Sequence, residues 1–165
     1  MSFKDKLEIA TNILIILVAL LIGGTYLKSH YGRQEGNLAI GETINAPPGY
    51  DWHSSAPTLV IAVRDGCVYC ERSYPFYRQL QGLEHDKHLK AHLLMITPDD
   101  SARAAALLSG QGITSQAITD TPLGSIKVSS TPTLLLVDAN GRLLQSWVGE
   151  LDAAKSDALI AQLQK

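Results

Sequence analysis

Cysteine is scarce in this sequence: only Cys67 and Cys70 occur, and no second pair of metal donors stands near them in the chain. A tetrahedral zinc site needs four such ligands, so the pair is at most half of one. His85, His88 and His92 lie in a polar stretch rather than beside the cysteines. An excess of charge of one sign is missing too. Fourteen Lys and Arg stand against sixteen Asp and Glu, and the cations are scattered rather than striped. Nucleic-acid binding draws on a clustered basic face, and that class is set aside. No repeat or low-complexity tract is visible, and 165 residues suit a single domain.

Between Ile9 and Leu27 charge is absent altogether, over a run dense in Ile, Leu, Val and Ala. The stretch matches the roughly 20 residues that cross a bilayer as a helix. A cleaved signal peptide is the competing reading, with Lys4 and Lys6 as its basic start and Gly23 and Gly24 near a cut. The apolar run exceeds the usual signal core of about 7 to 15 residues and no A-x-A site follows, so an uncleaved anchor is expected. The short N-terminus favours an inside start. Residues 1–28 are therefore expected to be a membrane anchor, 29–55 a Gly-rich tether and entry loop, and 56–165 the folded domain. That leaves about 130 residues beyond the anchor, enough for a core. Trp52 is a candidate cover for one edge of it.

What the sequence does hold is a strand-to-helix junction at the cysteines. Thr58 to Val63 is an apolar, β-branched run that reads as a buried strand. Arg64-Asp65-Gly66 follows, then Cys67-Val68-Tyr69-Cys70, then Tyr74, Tyr77, Leu80 and Leu83 at helical spacing. Two cysteines on a first helical turn can close a short disulfide, and the free amides there favour a thiolate on the first sulfur. Redox exchange, an inert structural disulfide and metal binding all remain open from this spacing.

Further along, Ala91 to Thr97 reads as a second strand, Pro98 to Ser101 as a turn and helix cap, and Ala102 to Ser109 as a short helix. Thr131 to Val137, Asp138 to Gly141 and Arg142 to Val148 read as a hairpin. Leu151 to Leu163 reads as an amphipathic helix with Leu151, Ala154, Ala158, Leu159 and Leu163 on one side. The order predicts an α/β layer with the cysteines at the carboxyl end of its first strand, where open sheets place their sites.

With these elements in sequence, the chain resembles the thioredoxin superfamily, and within it the membrane-anchored thiol-disulfide oxidoreductases of the TlpA/ResA type. Four features carry the likeness: the C-x-x-C after the first strand, Pro75 five residues later, Thr131-Pro132-Thr133 opening a strand, and the Asp-x-Asn-Gly turn followed by Trp147-Val148-Gly149. The resemblance implies a thioredoxin-like fold, a central mixed sheet flanked by helices, behind an N-terminal transmembrane helix. It implies that Cys67 attacks and Cys70 resolves, forming the disulfide, with a cis Thr131–Pro132 bond. Substrate would bind at Thr131, Pro132, Gly66 and Tyr69. No cofactor or metal is implied. The implied partners are protein dithiols or disulfides and an upstream electron donor, met by a domain on the periplasmic side of the inner membrane. Departures from the family stand at Gly66, where a Trp is usual, and at Ile61 and Ser73, where acids occur in relatives. A general base is therefore unassigned, Asp65 and Glu71 being the nearby carboxylates. The rival expectations are a copper chaperone built on the same thiolates and a non-catalytic docking domain.

Overall fold

The computed structural model describes residues 15–18, 38–52 and 55–165. Residues 15–18 are helical and exposed. The rest of the expected anchor lies outside the described residues, among which no helix is long and apolar enough to cross a membrane. The other structural unit spans Gly36–Lys165.

At its centre is β1 (Thr58–Ala62), a strand buried along its whole length. It pairs in parallel with β2 (His92–Ile96) and antiparallel with β4 (Thr133–Val137), so Val60 lies between Leu94 and Leu135. The two-residue β3 (Ala117–Ile118) runs parallel to β2 at one edge, and β5 (Leu143–Val148) pairs antiparallel with β4 at the other. The result is the mixed sheet expected from the sequence.

A strand that is apolar at every position must be covered on both faces. Leu59, Ile61 and Val63 pack on one side against Tyr74, Tyr77 and Leu80 of helix α1 (Val68–His85) and Leu159 and Leu163 of helix α3 (Ala153–Leu163). Val60 and Ala62 face the other way, into a layer with Ile44, Trp52, Ile126 and Val128. Truncating any of these large apolar side chains to Ala would cost about 2 to 5 kcal/mol.

Residues 38–52, within the stretch read as tether and entry loop, pack onto the β4–β5 hairpin. Ile44 N–H donates to the Gly141 carbonyl at 2.7 Å and Leu143 N–H to that of Glu42 at 2.8 Å. Trp52 is buried and its indole donates to the Ile44 carbonyl at 3.0 Å. Gly141 takes a left-handed φ of +74°, and a Cβ there would lie 2.8 Å from Trp52 Cδ1, so both turn geometry and packing require glycine.

The sequence reading misses some elements and misplaces others. Helix α2 (Ser101–Gly110) is one residue longer at each end than expected. Strand β3 and the 3-10 turn Leu123–Ile126 were not anticipated, because two residues show no alternation; β3 exists because β2 offers it a ladder, Met95 N–H donating to the Gln116 carbonyl at 2.8 Å. The last helix begins at Ala153, since Asp152 is its cap. It buries Leu159 and Leu163, while Ala154 and Ala158 are exposed, so the expected apolar side is partly wrong.

Candidate active site at the first helix

Chain direction brings β1 out of the sheet at Val63, and the next residues must turn sharply before α1 starts. Gly66 does this with φ +67°, a conformation that side-chain-bearing residues rarely adopt. A Trp would be strained at that position. Hydrogen bonds hold the turn: Gly66 N–H donates to Asp65 Oδ1 at 2.9 Å, and Asp65 N–H donates to Asp99 Oδ2 at 2.8 Å. That same Asp99 oxygen accepts from the Thr97 hydroxyl at 2.7 Å, tying the turn to the end of β2.

Cys67 is then the N-cap of α1. Its extended backbone (φ −95°, ψ 101°) lets Sγ accept from Cys70 N–H at 3.2 Å, while its carbonyl accepts from Glu71 N–H at 3.0 Å. The two cysteines form a disulfide with Cα atoms 5.2 Å apart. Their exposure differs: Cys67 sits at the rim at 7%, and Cys70 is sealed at 0%. When the pair is reduced, unpaired amides and the positive helix end favour charge on the Cys67 sulfur.

Thr131 faces that sulfur. The Thr131–Pro132 bond is cis, as expected. Thr131 carbonyl and hydroxyl oxygens each lie 3.4 Å from Cys67 Sγ, the hydroxyl as donor. Pro132 is buried behind Thr131, and its carbonyl accepts from Gly149 N–H at 2.8 Å.

Two open grooves meet at Tyr69, which is 57% exposed beside Val68 at 56%. One groove, of about 370 Å³, is lined by Arg64, Gly66, Cys67, Leu123, Ser130 and Thr131 among others. The second, of about 380 Å³, is lined by Gly149 to Asp152 on the far side of the ring. Arg72 lies over Tyr69 at 5.5 Å from the ring centre and pairs with Glu150 at 3.8 Å.

Beneath the dithiol, Ser73 turns its hydroxyl to the Tyr69 carbonyl at 2.8 Å. Tyr74 and Tyr77 pack edge to face at 5.9 Å, and among the described residues the Tyr74 phenol oxygen has no hydrogen-bond partner. Burial, reinforced by the negative field of Glu71, Asp65 and Asp99, pushes the Tyr74 phenol up to about 12. Burial also moves the Tyr77 phenol upward. Asp65 is directed to Arg103, 3.7 Å away, rather than to the sulfurs. Ile61 is simply core.

The structure thus brings Cys67, Cys70, Gly66, Tyr69, Thr131 and Pro132 to one place. Sequence reasoning missed Asp99, which had been read as part of a turn, and the wall formed by Leu123, Ser129 and Ser130. Nothing local in those residues signals a site; the chain fold places them there. Among the described residues no group of three His, Cys, Asp or Glu is arranged to hold a metal ion.

Comparison with known proteins agrees with this arrangement. The thioredoxin-like domain family matches residues 53–164. No curated protein matches the sequence. Among solved structures, a thiol:disulfide interchange protein from Bacteroides sp. is 16% identical with a TM-score of 0.59, over 78% of this chain and 92% of that one. A thiol:disulfide interchange protein of the thioredoxin family from Chlorobium tepidum TLS is 16% identical with a TM-score of 0.58, over 78% and 99%. A secreted Mycobacterium tuberculosis disulfide oxidoreductase homologous to E. coli DsbE is 14% identical with a TM-score of 0.54, over 67% and 82%. At these identities the likeness is one of fold.

Proposed function

This chain belongs to the thioredoxin-like domain family and carries the dithiol of a thiol-disulfide oxidoreductase; we propose that it is a membrane-anchored reductant of extracytoplasmic protein disulfides. The observation that carries the redox reading is the unequal placement of the two cysteines, Cys67 lining a groove beside the cis peptide and Cys70 fully buried.

That inequality supports Cys67 as the attacking sulfur and Cys70 as the resolving one. Reduced Cys67, as thiolate, attacks one sulfur of a substrate disulfide; the substrate S–S bond breaks, its leaving sulfur takes a proton, and a mixed disulfide forms. Cys70 then loses its proton and attacks Cys67 Sγ, which restores the internal disulfide and releases the second substrate thiol. Two electrons pass from protein to substrate. An upstream dithiol donor must return them. Thr131 and Pro132 offer backbone to an extended substrate beside the sulfur, and Tyr69 and Gly66 border its path.

The reductant direction is supported by a charge argument. A strongly oxidising dithiol, at about −120 mV against about −270 mV for thioredoxin, needs extra stabilisation of its reduced thiolate. Asp65 is engaged by Arg103 and Arg72 by Glu150, not by each other's neighbours along the helix. The helix end contributes about 0.3 to 1 kcal/mol, and an exposed cation such as Arg64 about as much. With about 1.4 kcal/mol per 30 mV, these fall well short of a 150 mV difference. Equilibration in graded glutathione or dithiothreitol buffers, with alkylation of free thiols, measures the potential. A midpoint near −120 mV overturns the reductant direction.

The anchor rests on the charge-free run Ile9 to Leu27. Retention in the membrane pellet after alkaline carbonate is the expected result; a soluble protein cut near Gly24 contradicts it.

A further inference from the structure

Tyr69 divides two grooves of similar size whose charges differ. Beyond the ring, Glu150 is paired with Arg72 at 3.8 Å and Asp152 with Lys155 at 3.3 Å, so both carboxylates are matched. On the Cys67 side, Arg64 is the one charged residue among the described residues of the groove wall, and among the described residues no ion pair engages it. By contrast, Arg103 is paired with Asp65 and Lys127 with Glu42. Asp65, next in sequence, is turned to Arg103 and to Gly66 N–H. The remaining wall is hydroxyl and apolar, from Ser129, Ser130, Thr131, Val68 and Leu123.

We propose that this groove selects polypeptide substrates with acidic residues flanking the reacting cysteine, and that Arg64 is the residue that recognises them. The inference rests on the thiol-disulfide reading above. A guanidinium is weakly hydrated and presents a planar fork that fits a carboxylate, so an unmatched one beside the reacting sulfur prefers an acidic ligand. Any effect of Arg64 on the Cys67 thiolate itself would change the rate for every substrate by the same factor. A ratio of rates for two substrates cancels it.

The test uses the full chain in detergent, pre-reduced, and three synthetic peptides that each carry one intramolecular disulfide. They differ only in the residues on both sides of the reacting cysteine, which are Glu, Gln or Lys. The expected Glu-to-Lys rate ratio is about two- to fivefold at low salt, the range of an exposed ion pair. It falls toward one in 1 M salt, where the Debye length is about 3 Å. Arg64→Glu reverses the order, and Arg64→Lys keeps it. Equal rates for the three peptides, or a preference that survives Arg64→Glu, overturn the assignment while the exchange activity stands. If no peptide is reduced at all, the thiol-disulfide reading fails and this inference fails with it.

Discussion

The N-termini of α1 and α2 solve one problem with different atoms. Each helix opens with amides that have no partner inside the helix. At α2, Asp100 accepts from Arg103 N–H at 2.9 Å through a carboxylate oxygen. At α1, Cys67 accepts from Cys70 N–H at 3.2 Å through sulfur. Asp152 repeats the carboxylate solution at α3, accepting from Lys155 N–H at 2.9 Å. The field that steadies a fixed carboxylate at two helices acts, at the third, on an atom that can change its bonding. Capping is structural where the cap is a carboxylate and chemical where its charge depends on redox state.

The largest expected effect comes from breaking the chemical cap. Cys67→Ser removes the attacking atom, and exchange should fall to the uncatalysed background. Cys70→Ser leaves attack intact but removes resolution, so mixed disulfides with partners should accumulate. Non-reducing gels, with and without dithiothreitol, read this directly. Trapping by the Cys67 variant instead would reverse the roles.

Stability sharpens the same comparison. Cys67→Ser and Cys67→Ala are both expected to be inactive, yet Ser can cap α1 and Ala cannot. Urea unfolding should place the Ser variant about 1 kcal/mol above the Ala variant. Equal stabilities would mean that position 67 contributes no cap. Asp100→Ala at α2 should cost about as much, roughly 1 kcal/mol, while leaving exchange rates unchanged. A fall in exchange there would show that the two helix ends are not independent.

These contrasts also show what can be read from one dimension. The run Thr58 to Val63, the Cys-x-x-Cys and the Asp138 to Gly141 turn announce themselves because each rests on local chemistry: β-branched burial, sulfur at a helix end, and a turn with left-handed glycine. Asp99 and Arg64 do not. Adjacent acids at Asp99 and Asp100 look alike in the sequence, yet one caps α2 and the other crosses to the Asp65 amide. Arg64 stands beside Asp65 in the sequence, but the fold gives Asp65 to Arg103. Ala154 and Ala158 fail for a similar reason, because the register of α3 is set by packing of Leu159 and Leu163 on the sheet. Which of several equivalent charges finds a partner is decided by long-range topology, and sequence spacing carries no record of it.

The smallest expected effect is in the acid limb of stability, where the carboxylate caps and the sulfur cap part company again. Asp152 is held below the usual carboxylate range, chiefly by the Lys155 N–H it accepts and then by the Lys155 side chain. Asp138 is lowered as well, first by the Arg142 N–H in the β4–β5 turn. For a group whose folded pKa is depressed, the stabilisation is complete above the unfolded value and is lost as pH falls through the folded one. The loss should therefore begin as pH drops to about 3.9, the ordinary Asp value, and continue below it. Both side chains are exposed and screened, so each contribution is small. The disulfide sulfurs take up no proton in this range. Asp152→Asn keeps an oxygen that can cap but removes the titration, so the stability gap between wild type and variant should narrow as pH falls from 6 to 2. Chemical unfolding of the oxidised form across that range measures it. A gap that widens on acidification would show that the Asp152 carboxylate is not the group whose protonation weakens this helix end.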